Sequence, residues 1–138
     1  MINFNYETDF ILESEDQIST WISNTISEED FKLEEINYVF CDDEYLHKLN
    51  VEFLNHDTLT DIISFDYSVG KIIQGDIFIS VERVEDNAKD FGVLFIEELH
   101  RVIIHGVLHY CGYKDKTDAD AATMRSKENH YLEALKNN

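Results

Sequence analysis

The sequence predicts an α+β domain, with about five helices packed on a mixed, mostly antiparallel sheet of about four strands. Three observations carry this expectation. Several longer runs repeat apolar residues at helical spacing. Three or four short runs alternate, or are rich in β-branched and aromatic residues. Two of these short runs flank a turn in the middle of the chain, as a hairpin would. The 138 residues contain no proline, no low-complexity stretch and no internal repeat. One domain spanning 1–138 is therefore expected, long enough to bury a core without a disulfide or a structural metal.

Ile2 to Tyr6 alternates as a short strand. Ser14, with Gln17 three residues on, predicts the cap of a helix that runs to about Thr25 and buries Ile18, Trp21 and Ile22. Ile36 to Phe40 has the β-branched and aromatic content of a strand. Asp42 then caps a helix with Tyr45, Leu46, Leu49 and Phe53 on one side. A loop from Asn55 to Leu59 leads into a strand over Ile62 to Tyr67. The turn Ser68 to Lys71 returns the chain along Ile72 to Ser80, where Gly75 marks a bulge or a close backbone approach. Val81 to Phe91 is a helix stopped by Gly92. A long apolar helix runs from about Leu94 to Cys111 and stops at Gly112. Thr117 with Asp120 opens the last helix, which buries Ala121, Met124, Tyr131, Leu132 and Leu135.

Composition narrows the function classes. A formal charge of −18 argues against a general nucleic-acid binder, because neutralising phosphates takes Lys and Arg, and it disfavours a membrane surface. It leaves room for a nucleic-acid enzyme with a local cation, since a bound divalent ion can be the largest charge in a site. Cys41 and Cys111 stand far apart and outside any paired motif, which suits a reducing compartment. No secretory signal is expected from the first residues. The most apolar segment, Val102 to Tyr110, is too short to span a bilayer. A cytoplasmic protein is expected.

Chemistry concentrates between His105 and Asp115. His105 and His109 stand one helical turn apart, so both imidazoles leave the same face, the spacing with which a helix offers two rings to one ion. Gly112 stops the helix and lets the chain reverse, which places Asp115 as a third ligand. With about 3.6 residues per turn, Glu98, Arg101, His105 and His109 share one polar stripe on an otherwise apolar helix. Buried polar groups need partners, and a metal supplies one to two imidazoles at once. Gly106 occupies the place where metalloproteases of the His-Glu-x-x-His type carry their general base, which excludes that class. An isolated pair of helical histidines more often hydrogen-bonds its neighbours. The polar stripe, the glycine stop and the carboxylate beyond it shift the balance towards a metal-dependent hydrolase.

At this point three blocks resemble a known family, the YbeY endoribonucleases. His105-Gly106-x-Leu108-His109-x-x-Gly112-Tyr113 is similar to its signature. Leu49-Asn50 followed by Thr60-Asp61-Ile62-Ile63-Ser64-Phe65, and Gly75-Asp76-Ile77-Phe78-Ile79-Ser80, resemble two upstream blocks in the same order. The resemblance covers roughly Leu49 to Met124. It implies helices on a mostly antiparallel sheet and a zinc ion held by three residues of the last block. It implies a single-strand-specific endoribonuclease for maturation of the 3′ end of small-subunit ribosomal RNA and for ribosome quality control. The partners it implies are ribosomal RNA, small-subunit ribosomal proteins and a ribosome-assembly GTPase. The chain departs from the family pattern twice. Lys114-Asp115 stands where the family has Asp-His, so a carboxylate replaces the third imidazole and another divalent transition metal becomes credible. Leu54 stands where the family usually has an arginine.

Other residues carry two readings each. Asp61 either orients a ligating histidine or caps the turn from Thr58, and Asp76 is weighted the same way. Arg101 either meets a phosphate or pairs with Glu97 or Glu98, and it or His56 is a substitute for the missing arginine. His130 is an alternative ligand to Asp115. His100 is structural, His47 is surface, Met124 is core, and Glu28-Glu29-Asp30 is solvated. Two other functions compete: a metal-dependent hydrolase of a non-RNA substrate, and a ribosome-assembly factor whose metal is structural and closed by a fourth ligand. For the RNA reading the mechanism expected is attack of metal-bound water on a phosphodiester.

Overall fold

The computed structural model describes residues 1–56 and 59–137. The elements are β1 (Ile2–Tyr6), α1 (Glu15–Glu28), β2 (Lys32–Cys41), α2 (Asp43–Leu54), β3 (Ile62–Asp66), β4 (Ile72–Ser80), α3 (Val81–Phe91), α4 (Phe95–Tyr110) and α5 (Asp118–Lys136). Among the described residues the four strands form one mixed sheet in the order β1-β2-β4-β3. Strand number, helix number and the β3–β4 hairpin agree with the sequence expectation. The balance of directions is corrected: β1–β2 and β2–β4 are parallel, and β3–β4 is antiparallel. A parallel pair needs a crossover, and α1 supplies one between β1 and β2, while α2 and β3 lie between β2 and β4.

Alternation sets the two faces of the sheet. Ile36, Tyr38 and Phe40 of β2 are fully buried under Ile18, Trp21 and Ile22 of α1, Leu99, Ile103 and Val107 of α4, and Tyr131 of α5. Each large side chain removed from water in this layer contributes about 1.5–3 kcal/mol. On the opposite face, α2 covers the β3 side, with Leu46 against Cys41 and Ile63. Phe53 of α2 stays 63% exposed and Tyr45 sits at the surface, so the apolar side expected of this helix is only partly used.

The caps hold where the backbone is extended. Asp42 Oδ1 accepts from Tyr45 N–H at 2.9 Å, and Thr117 Oγ1 from Asp120 N–H at 3.0 Å. Ser14 precedes α1 but is left-handed, with φ 59° and ψ 47°, and its side chain makes no cap bond. Side-chain capping needs extended backbone at that position, so the expected role falls away. The helix also runs past Thr25 to Glu28. In α5, Ala121 is exposed and Glu128 takes a place on the buried side. The proposed turn cap at Thr58 lies outside the described residues.

Two close approaches seat α4 on the hairpin. A Cβ on Gly106 would lie 3.0 Å from Ile77 Cδ1 and 3.1 Å from Ile62 Cδ1. At Gly75 a Cβ would lie 2.6 Å from the Phe65 carbonyl, in space that the Tyr110 hydroxyl occupies; that hydroxyl sits 3.0 Å from the carbonyl oxygens of Phe65 and Asp76. Gly75 therefore marks a close approach, and the irregularity in the sheet falls instead between Leu33 and Glu35 of β2.

Candidate metal centre

His105 and His109 leave the same face of α4, and their Nε2 atoms lie 2.9 Å apart. Gly112, at φ +98°, turns the chain back in a conformation that other residues rarely adopt. The reversal brings Asp115 Oδ2 to 3.2 Å from His105 Nε2 and 3.4 Å from His109 Nε2. The three residues singled out in the sequence are thus brought to one point.

Their chemistry fits a cation. His109 Nδ1 faces the Tyr113 carbonyl at 2.9 Å. A carbonyl only accepts, so Nδ1 carries the proton and Nε2 the lone pair of a neutral ring. His105 Nδ1 faces a Glu128 carboxylate oxygen at 2.6 Å, so its Nδ1 carries a proton as well and its Nε2 is the atom turned to the centre. Two Nε2 atoms and a carboxylate oxygen therefore converge, a donor set that one shared cation satisfies together. Ligands held at about 2.1 Å from a tetrahedral ion lie about 3.4 Å apart, so the spacing suits a transition-metal ion. Among the described residues the group that can hold an ion has three members, His105, His109 and Asp115. Three ligands leave a coordination position open, as catalytic sites do.

Glu128 is the site residue that sequence reasoning missed. It reaches across from α5 and is almost fully buried. Burial pushes its carboxyl up, but the bonds from His105 and Arg101 outweigh that and hold it below the usual carboxylate range. Burial likewise pulls the His105 imidazole down, while the Glu128 carboxylate against Nδ1 more than reverses it. Arg101 Nη1 donates to Glu128 at 2.8 Å and Nη2 to Asn129 at 2.9 Å. It is paired, as expected, but with α5 and not with Glu97 or Glu98 of its own helix.

A cavity of about 290 Å³ opens beside His105, with Asp61, Glu98, Arg101 and Arg125 among its walls. Asp61 and Glu98 both have carboxyls pushed up by burial. Asp61 lines the site, while the His105 ring is held by Glu128. Asp76 is engaged elsewhere, accepting from Asn37 at 3.1 Å on the opposite face of the sheet. His130 Nε2 lies 2.7 Å from Glu28 on an exposed surface and is not part of the metal group. His100 is half-buried and packs edge-on against Trp21. His47 is half-buried on α2. Leu54 and His56 are exposed and do not line this cavity. The Glu28-Glu29-Asp30 run is not merely solvated, for Glu29 accepts from Tyr113 at 2.7 Å and also from Tyr131 and Lys127.

The sequence matches the family model for endoribonuclease YbeY over residues 2–136. A curated endoribonuclease YbeY of Flavobacterium johnsoniae is 70% identical over 132 residues, covering 96% of this chain and 95% of that protein. That of Flavobacterium psychrophilum is 61% identical, covering 96% and 94%. That of Christiangramia forsetii is 54% identical, covering 92% and 89%. Among solved structures, a Thermotoga maritima protein determined in solution superimposes with a TM-score of 0.71 at 25% identity, covering 98% of this chain and 89% of that one. A match over nearly the whole chain, at identities where fold and site are inherited together, makes this chain a member of the endoribonuclease YbeY family.

Proposed function

We propose that the protein is a zinc-dependent endoribonuclease of the cytoplasm that cuts single-stranded RNA during maturation of the 3′ end of small-subunit ribosomal RNA. Family membership supports the reaction class. The observation that carries the mechanism is the convergence of His105 Nε2, His109 Nε2 and Asp115 Oδ2 beside an open cavity. No helix among the described residues is long and apolar enough to cross a membrane.

His105, His109 and Asp115 hold the ion. Bound there, zinc supplies Lewis acidity that polarises a phosphoryl oxygen and brings the pKa of water to about 7. Glu128 and the Tyr113 carbonyl fix both rings with Nε2 inward. Arg101 neutralises Glu128 and so orients His105 through it. Asp61 adds to the cavity wall a carboxyl whose pKa is raised by burial. Ribosomal RNA is the substrate in this reading, with small-subunit proteins and a ribosome-assembly GTPase as partners and ribosome quality control as a second role.

The test is cleavage of single-stranded RNA by zinc-loaded wild type and His109→Ala, with metal content measured on both and on Asp115→Ala. Cleavage by the wild type, with loss of both metal and cleavage in His109→Ala, is expected. Equal cleavage by the two removes the centre from the mechanism. Unchanged stoichiometry and affinity in Asp115→Ala removes that ligand.

A further inference from the structure

Two cavities adjoin at the metal centre. The second, also about 290 Å³, lies between α5 and the α3–α4 junction, with Phe91, Val93, Leu132 and Leu135 among its walls. Glu98, Arg101 and Arg125 line both. These three side chains therefore stand between the metal group and a recess with both apolar and charged walls.

We propose that this recess is a subsite for one unpaired nucleotide flanking the bond that is cut, with Arg125 on its phosphate and its base against Phe91 and Leu132. The proposal rests on the endoribonuclease reading above. Of the two arginines on the divide, Arg101 is committed: its side chain is 19% exposed and bonded to Glu128 and Asn129. Arg125 is held more loosely: its side chain is 62% exposed, and it makes an ion pair with Glu128 at 3.8 Å, too long for a hydrogen bond. A guanidinium so placed turns to a phosphate with little loss, and its planar fork matches phosphate oxygens. The recess itself is close to charge-balanced, with Glu97, Glu98 and Glu133 against Arg101, Arg125 and Lys136. Phe91, Val93, Leu132 and Leu135 supply the apolar wall that suits an uncharged base. Phe91, 64% exposed, offers a ring for stacking, a contact worth about 5- to 150-fold in affinity per base. Only an unstacked base can enter, which restricts this subsite to single strands.

The experiment is fluorescence anisotropy of a labelled single-stranded phosphorothioate oligoribonucleotide, which resists cleavage, with the zinc-loaded protein, as a function of salt. Arg125→Gln is expected to weaken binding about tenfold and to flatten the plot of log Kd against log salt by about 0.7, the value of one single-strand phosphate contact. Arg125→Lys restores the slope. Phe91→Ala weakens binding about fivefold or more with the slope unchanged. Lys48→Gln, on α2 across the sheet, leaves affinity and slope as they are and controls for lost charge. Repulsion from the formal charge of −18 is common to all these proteins and cancels in the difference of slopes. A wild-type slope in Arg125→Gln, wild-type affinity in Phe91→Ala, or loss of zinc from Arg125→Gln overturns the subsite and leaves the endoribonuclease reading standing. Zinc-loaded wild type that neither binds nor cuts RNA overturns both.

Discussion

His105 and His109 present Nε2 to the centre because Nδ1 of each ring is already committed, one to Glu128 and one to the Tyr113 carbonyl. Ligating atoms are the ones left over after hydrogen bonding, so the outer partner governs affinity as much as the ligand does. Glu128→Ala is expected to weaken zinc binding about 100-fold, and Glu128→Gln, which can still accept from Nδ1 but carries no charge, about tenfold. Competition against a chromophoric chelator measures both, and wild-type affinity in the alanine variant would show that Glu128 does not orient the ring. The three candidate ligands were legible because all of them fall within a short stretch of sequence, where helical periodicity and one glycine fix the geometry. Glu128 was not, since it lies 23 residues beyond His105 on a different helix. A signal existed: Glu128 falls at helical spacing among Met124, Tyr131 and Leu135, a lone charge in a buried stripe. Such a charge needs a partner.

At the scale of elements, the hairpin and the helices follow from local pattern, whereas the parallel pairings of β2 do not. Nothing in Lys32 to Cys41 says which strand lies beside it; that depends on how α1 and α2 cross the sheet. Gly75 is where α4 and the hairpin meet. Gly75→Ala forces Tyr110 or the Phe65 backbone to move, and a loss of about 1–3 kcal/mol is expected in urea unfolding. A change within 0.5 kcal/mol, the range of an ordinary surface substitution, would mean that the contact is loose. A second junction joins α1, α5 and the chain reversal at Tyr113 through Glu29. Burial pushes this carboxyl up, but bonds from Tyr131, Tyr113 and Lys127 outweigh it and leave it below its ordinary 4.5. A depressed carboxylate stabilises the fold above its unfolded value, and that stability is lost as pH falls through the folded value. Glu29→Gln is therefore expected to be less stable than wild type at pH 7, with the gap closing below about pH 4.5. Urea titrations across this range decide it, and a gap that stays constant to pH 3 removes the ionised carboxylate from the explanation.

For the whole molecule, 29 acidic residues against 11 basic ones leave a charge of −18. Composition argues against a general nucleic-acid binder but leaves room for an enzyme with a local cation, and membership of an endoribonuclease family is consistent with that distinction. The same excess has a thermodynamic consequence. Self-repulsion destabilises the compact state and is screened by salt, with a Debye length of about 10 Å at 0.1 M. Zinc held at the proposed centre would act differently, by mass action on the folded state alone, and would contribute about 2.7 kcal/mol at 100 times its Kd. For a chain of this length that corresponds to about 5–10 °C in Tm. The two contributions are separable by mutation. In the wild type, Tm is expected to rise both with sodium chloride and, at fixed ionic strength, with zinc, and excess EDTA should reverse the second rise. In His109→Ala the response to sodium chloride should persist while the response to zinc disappears, because screening involves every carboxylate and coordination involves three side chains. If zinc raises the Tm of His109→Ala as much as that of wild type, the ion is acting on the acidic surface at large, and the stabilisation cannot be assigned to the centre.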